Sequence, residues 1–447
     1  MRFGRALPLC LLLLACAKEP APPGPAAAVP AGSDLRVFVV VIDGLGPGRV
    51  RPSLMPELCR IAHCPGTPRP DQDSHATIYA EARAAMVAQT NPNHVAMMTG
   101  AHGDVSGAVA NSFYNRAAKR EEALDRSALI LSPTLFDVLG GVRKTAVVAG
   151  KEKLRRLFDC TRAGGACGAS RDNPEGVPVR HAAPDFLMGA AQKIAAGSGD
   201  CQAIPSVSRG VAVDACIMDL AVKLSDREDP AFVLINLARV DQAQHTFGPG
   251  SAAVHATIAA ADLEIGRLVA YLKGAGKWDS TVLFVLSDHS FSDLRQAPGH
   301  RLDLGAVFLE DRRRNPEAWG PRGGIDESFT VVPGGGVAQV YLTSVSASAE
   351  AWTPAQADAL ARMRHLALSA PADASRPGIS EALYRLPNPR DPGHAIGAVH
   401  PGWALGSARA GDLVVAALAR GPSRIRPRRA RRRGVTTATP VRGTSPS

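Results

Sequence analysis

Residues 35–44 have the sequence LRVFVVVIDG. This apolar and largely β-branched run predicts a strand that is buried on both faces and ends at an aspartate. Similar runs recur at 145–149, 232–237, 281–286, 338–342 and 412–417. Helical patterns alternate with them, at 94–98, 132–139, 184–196, 211–224, 252–272 and 354–368. This alternation predicts an α/β fold with a mostly parallel central sheet and helices on both faces. Two stretches rich in Gly, Pro and Arg, 151–182 and 291–335, are expected to be irregular surface insertions near the rim of a site.

Three aspartates stand at or just beyond the ends of predicted strands. They are Asp43, Asp241 and Asp288. Ligands of parallel sheets collect at the carboxyl ends of the strands, so these carboxylates are expected to meet. His245 lies one helical turn after Asp241, and His289 follows Asp288 directly. Carboxylate and imidazole groups suit zinc, and two such clusters beside a hydroxyl are what a two-metal phosphoryl-transfer site requires.

The hydroxyl is predicted in the segment Thr-Asn-Pro-Asn-His, residues 90–94. Thr90 followed closely by Pro92 is typical of a helix start, and Thr90 could serve only as a helix cap. The functional interpretation is a nucleophile at the positive end of a helix, where an alkoxide and a phosphate are both stabilised. Asn111 lies 21 residues further on; it is either a turn residue or a donor to a phosphate oxygen.

The order and spacing of these motifs resemble the alkaline phosphatase superfamily. Within it they look most like the nucleotide pyrophosphatase/type I phosphodiesterase family, over roughly residues 35 to 418. The resemblance implies zinc-dependent hydrolysis of phosphodiester or pyrophosphate bonds in a small-molecule phosphate ester, through a phosphothreonine on Thr90. It implies that Asn111 contacts the phosphate. It also implies two Zn²⁺ ions, or other divalent metals, held by two sets of side chains: Asp43, Asp288 and His289 with Thr90; and Asp241 and His245 with a further histidine.

That further histidine belongs to a late Gly-x-His-Gly motif, which this sequence lacks. His394 and His400 are the remaining late candidates, and each could equally be an ordinary loop histidine. Three alternatives therefore stay open: a phosphomonoesterase or a phosphonate hydrolase of the same superfamily, or a non-catalytic lipoprotein that has lost one metal ligand.

The N-terminus has the features of an export signal. A basic start and a short apolar run precede Leu-Ala-Cys at 14–16, which is typical of a lipoprotein signal peptide over 1–16. An ordinary secretory signal is the alternative. Cys16 is then the predicted lipidation site, and 17–33 is an Ala- and Pro-rich tether before a catalytic domain at 34–418. Because Ala17 follows the cysteine, the pattern resembles lipoproteins anchored to the outer membrane and facing the periplasm.

Six cysteines follow Cys16, an even number that suggests disulfides in an exported chain. Local pairing is the simplest connectivity, and free thiols are the alternative. The expected pairs are Cys59–Cys64, Cys160–Cys167 and Cys201–Cys216.

The net charge of +10 comes almost entirely from the last 28 residues, which contain nine arginines and no acid. The remaining body is nearly neutral, so no specific nucleic-acid partner is inferred. Residues 419–447 form either a disordered tail, a tail that binds anions, or a frameshifted segment. The coding sequence can be read in a shifted frame, in which the last base of each codon from Arg433 is combined with the first two bases of the following codon, as far as Pro440. With free choice of the third bases, this frame permits the sequence Arg-Gly-Asn-His-Gly-His-Pro. That sequence contains the missing Gly-x-His-Gly, so frameshift is the preferred hypothesis.

Overall fold

The computed structural model describes residues 34–139, 143–158, 213–292, 302–319, 328–370 and 378–417. Its strands are β1 Arg36–Ile42, β2 Ser112–Asn115, β3 Arg120–Ala123, β4 Thr145–Ala149, β5 Phe232–Leu237, β6 Thr281–Leu286, β7 Phe329–Pro333, β8 Val337–Leu342, β9 Ile379–Tyr384 and β10 Leu413–Ala417. Its helices are α1 Pro56–Ala62, α2 Thr90–Thr99, α3 Gly103–Ser106, α4 Leu135–Leu139, α5 Glu152–Phe158, α6 Asp214–Glu228, α7 Arg239–Phe247, α8 Ala252–Gly274, α9 Leu304–Arg314, α10 Pro354–Ser369 and α11 Ile396–Val399. Short 3-10 helices occur at Pro47–Arg49, Ser127–Leu129, Trp278–Ser280, Pro316–Trp319 and Pro401–Trp403.

Four strands form the predicted parallel sheet, in the order β4-β5-β1-β6. The central strand β1 shows why helices cover both faces. Phe38, Val40 and Ile42 pack into one apolar cluster with α1, α6, α7 and α8, while Val39 and Val41 pack into another with α2, α4 and α5. Side chains on a strand alternate between its faces, so an unbroken apolar run needs cover on both sides. The predicted α/β fold is confirmed.

A second sheet is antiparallel, in the order β7-β8-β10-β9. The runs expected at 338–342 and 412–417 lie in this sheet rather than in the parallel one. Strand β7 turns into β8 through Gly334, Gly335 and Gly336, and Gly335 has a φ of +78° that favours glycine. Such a short connection leaves no room for a crossover helix, so β7 and β8 must run antiparallel.

The two predicted insertions are more regular than expected. The stretch 291–335 contains α9 and β7, and the stretch 151–182 begins with Lys151 and α5. The helix predicted at 132–139 begins at Leu135, and the one predicted at 211–224 extends to Glu228. The predicted helix at 184–196 lies outside the described residues.

The Cys59–Cys64 disulfide is confirmed, and it links α1 to the residues just beyond its C-terminus. Cys216 is also disulfide-bonded, with a partner outside the described residues. Cys160, Cys167 and Cys201 lie outside them too, as do the predicted signal peptide, the tether and the basic tail. Within the described part of the chain, no helix combines the length and the apolar character that a bilayer span requires.

Candidate active site

Three strand ends of the parallel sheet deliver the three predicted aspartates to one place. Asp43 follows β1 directly, Asp288 lies just beyond β6, and Asp241 lies in the first turn of α7, which follows β5. All three side chains are buried. Because β1 pairs with both β5 and β6, its two neighbours carry their carboxylates to the end of the sheet where Asp43 lies.

Asp43, Asp288 and His289 form a group suited to a metal ion. Each offers one ligand atom, and these atoms lie within 4.8 Å of one another. Asp288 Oδ1 accepts hydrogen bonds from the backbone N–H groups of Gly44 and His289, at 3.0 and 2.9 Å. Its Oδ2 is buried and has no hydrogen-bond donor among the described residues. A buried, unpaired carboxylate oxygen aimed at an imidazole nitrogen 3.5 Å away fits a cation ligand.

The surrounding charges set the protonation of this group. Burial alone would raise the pKa of Asp43, but Lys151, His94 and His289 lower it below its ordinary value. Burial and the charge of Asp43 raise the pKa of Asp288 well above its ordinary value. Burial also lowers the pKa of His289, which favours the neutral imidazole that metals bind.

Thr90 is the first residue of α2, and the N-cap is Gln89, so the cap interpretation of Thr90 is wrong. Its hydroxyl faces the site instead: Oγ1 accepts a hydrogen bond from Lys151 Nζ at 3.1 Å and lies 3.4 Å from His289 Nε2. His94 steadies this turn, since its Nδ1 donates to the Thr90 carbonyl at 2.8 Å. Burial lowers the pKa of His94 to about 4, so the ring is neutral and Nε2 can accept from Asn236.

Asn111 lies beside the first turn of α2. Its Oδ1 accepts a hydrogen bond of 2.8 Å from the backbone N–H of Asn91, and its own N–H donates to Gln89 Oε1. Because the side-chain oxygen is engaged, the amide NH₂ is the end that can donate to a bound anion.

Lys151 is the site residue that the sequence analysis missed. Its ammonium group donates to Asp43 Oδ1 at 2.8 Å, to Asp241 Oδ2 at 2.7 Å and to Thr90 Oγ1 at 3.1 Å. Burial would lower the pKa of Lys151, but Asp43 and Asp241 raise it, so the group is charged. One signal was present: Lys151 stands two residues after the predicted strand 145–149, at a fourth strand end. Gly150 allows the close approach, because a Cβ there would lie 2.9 Å from Cβ of Ala238.

The second expected metal set has fewer ligands in place. His245 Nε2 lies 3.5 Å from Asp241 Oδ1, but the His245 side chain is 69% exposed and its ring packs against Phe291. His394 and His400 do not complete the set. His400 Nε2 bonds Glu381 at 2.7 Å, and His394 Nε2 lies 3.4 Å from Asp391. Among the described residues, three acidic, histidine or cysteine side chains converge on one point only at Asp43, Asp288 and His289.

A parallel sheet of this order, with aspartate and histidine side chains at its strand ends, matches structures of the alkaline phosphatase superfamily. The model of the type I phosphodiesterase/nucleotide pyrophosphatase family matches residues 37–420, and the chain belongs to that family. The family is one of phosphoester hydrolases.

Solved structures share the fold at low sequence identity. Phosphonoacetate hydrolase from Sinorhizobium meliloti 1021, in complex with phosphonoformate, has 18% identity and a TM-score of 0.53, covering 87% of this chain and 81% of its own. Murine ectonucleotide pyrophosphatase/phosphodiesterase 5 has 14% identity and a TM-score of 0.53, covering 86% and 78%. An inactive threonine-to-alanine variant of that murine protein, in complex with AMP, also has 14% identity over the same shares, with a TM-score of 0.52.

Proposed function

We propose that this chain hydrolyses phosphodiester or pyrophosphate bonds of small molecules with the aid of zinc and through a phosphothreonine on Thr90. The observation that carries the proposal is the position of the Thr90 hydroxyl. It lies at the N-terminal end of α2, beside the metal-binding group of Asp43, Asp288 and His289. Family membership supports the reaction class.

The chain's own residues supply most of the groups that such a displacement needs. The N-terminus of α2 favours negative charge at the Thr90 oxygen and at a bound phosphate. Lys151 donates directly to that oxygen, which stabilises the alkoxide relative to the hydroxyl. The Asn111 amide is placed to donate to an equatorial phosphate oxygen. A bound zinc ion supplies a further positive charge that lowers the pKa of a neighbouring hydroxyl.

The proposed substrate is a soluble phosphate ester, and the proposed location follows from the N-terminus. The murine relative's complex with AMP is in keeping with a nucleotide leaving group. Lipidation of Cys16 would hold the domain at the outer membrane, facing the periplasm, on a tether of residues 17–33. A radioactive fatty acid should label the wild-type protein and should not label the Cys16→Ser variant, and this comparison would test the anchor.

Hydrolysis of a phosphonate is the second candidate, and Lys153 favours it. Burial and the charge of Lys151 lower the pKa of the Lys153 ammonium to about 8, whereas the charges of the site carboxylates raise it, so Lys153 lies close to the site. A substrate with a second anionic group, such as the carboxylate of phosphonoacetate, would give that cation a partner.

Rates on bis-p-nitrophenyl phosphate, p-nitrophenyl phosphate and phosphonoacetate separate the candidates. A diesterase is fastest on the first of these substrates. A protein that turns over none of them would instead be the non-catalytic lipoprotein.

Asp288→Asn is expected to release the bound metal. The change removes the charge of a buried ligand whose Oδ2 has no other partner among the described residues. Zinc affinity should fall at least about ten- to a hundred-fold, the effect of losing even an outer partner of a metal ligand. Elemental analysis after dialysis measures the loss. Asp279→Asn is the matched control, since Asp279 is exposed on the short helix before β6. Retention of wild-type zinc by Asp288→Asn would remove this metal centre from the account.

A further inference from the structure

Lys151 joins the two metal sets that the family resemblance implies. Its three ammonium protons are all used, on Asp43 of the first set, on Asp241 of the second set, and on Thr90 between them. Its side chain is only 11% exposed. An ammonium with three short contacts to buried acceptors is a fixed cation rather than a mobile surface charge.

The second set offers little to compete with that cation. A catalytic zinc ion normally has three protein ligands, and Asp241 and His245 are two. One oxygen of Asp241 already accepts from Lys151. No third ligand joins them within the ranges that the structure describes. The other Asp241 oxygen, Oδ1, is buried without a hydrogen-bond partner in the described part of the chain and lies 3.5 Å from His245 Nε2, so an ion here would be held by that oxygen and a largely exposed histidine alone.

The formal charges give the same answer. Asp43, Asp241 and Asp288 carry three negative charges when ionised. One divalent ion at Asp43, Asp288 and His289, together with the Lys151 ammonium, neutralises them. A second divalent ion would leave this buried site, before substrate binds, with a net charge of +2 beside Lys151 or of +1 if it displaced the lysine, and either is costly in a poorly solvated environment.

We propose that the ammonium group of Lys151 takes the place of the second metal ion, so that this chain is a one-metal enzyme with a built-in cation. The inference rests on the proposed function for the metal at Asp43, Asp288 and His289. Lys151 then screens Asp241 from Asp43 and donates to the Thr90 oxygen. It is a charge-supplying residue of the site, in contact with one carboxylate of each implied metal set.

The test is the zinc stoichiometry of the untagged chain, by equilibrium dialysis at several buffered free zinc concentrations, without substrate. The wild type should saturate at about one ion per chain. Lys151→Met keeps the length of the side chain but removes its charge, which frees Asp241 Oδ2. Both Asp241 oxygens and His245 can then hold an ion, so at the higher free zinc concentrations saturation should rise to about two ions. Lys223→Met is the matched control and should stay at about one, because Lys223 is exposed on α6 and makes no contact with the site carboxylates. Saturation of the wild type at two ions, or of Lys151→Met at one, would overturn the inference.

His245→Ala covers the case in which Lys151→Met fails to fold. On this inference the single ion does not use His245, so zinc affinity should stay within about twofold of the wild type. A loss of bound zinc in His245→Ala would place an ion at Asp241 and contradict the inference. The two proposals can be separated: retention of zinc by Asp288→Asn refutes the metal centre, whereas its loss together with a two-ion wild type refutes only the role of Lys151.

Discussion

Thr90→Ala should reduce hydrolysis of bis-p-nitrophenyl phosphate by at least about a thousand-fold, because the variant has lost the attacking oxygen. The fold should survive. Thr90 caps no helix, and its hydroxyl contacts only Lys151 and His289 among the described residues. Initial rates and thermal unfolding of the variant and the wild type measure the two effects.

Thr99→Ala is the matched control for that result. It makes the same substitution at the other end of α2, where the Thr99 hydroxyl bonds the Val95 carbonyl. Turnover by Thr99→Ala should match that of the wild type. Equal turnover by Thr90→Ala and Thr99→Ala would remove Thr90 from the mechanism.

Restoring the alternative reading frame after about codon 418 should raise both metal content and turnover. Asn-His-Gly-His then replaces residues 435–438, and the first of these histidines stands where Thr436 is now. A third ligand for Asp241 and His245 makes a complete zinc site, which can displace Lys151 from Asp241. Zinc should rise from about one to about two ions per chain, and turnover by at least about a hundred-fold, the scale on which electrostatic groups at a reacting centre act.

A restored chain in which that first histidine is changed to alanine is the control, and it should return to the metal content and turnover of the original. The nucleotide sequence across codons 410–447 provides independent evidence. If the restored chain binds no more zinc than the original, the frameshift hypothesis loses its support.

The sequence was sufficient to predict where the aspartates meet. Apolar runs at 35–42, 232–237 and 281–286 are buried on both faces, and their carboxyl ends share one edge of the parallel sheet. The approach of Asp43 to Asp288 and the adjacent His289 follows from that rule. Periodicity was enough here because each functional residue directly follows its strand or opens the next helix.

Other features depend on contacts that periodicity does not contain. Lys151 was missed because weak periodicity after 150 suggested a surface excursion, whereas Gly150 packs closely on Ala238 and brings the lysine inside. The antiparallel sheet was missed because strand direction depends on the connection, here the glycine turn before β8. The cap interpretation of Thr90 failed because α2 begins one residue earlier than that interpretation requires.

The most direct test of the central claim is the covalent state of Thr90 during turnover. Wild-type protein hydrolysing bis-p-nitrophenyl phosphate is quenched in acid, digested and analysed by mass spectrometry. The account predicts a phosphoester on the peptide that contains Thr90, absent from Thr90→Ala and from the unreacted protein. Turnover by the wild type with no phosphoester at Thr90 at any quench time, together with undiminished turnover by Thr90→Ala, would contradict it.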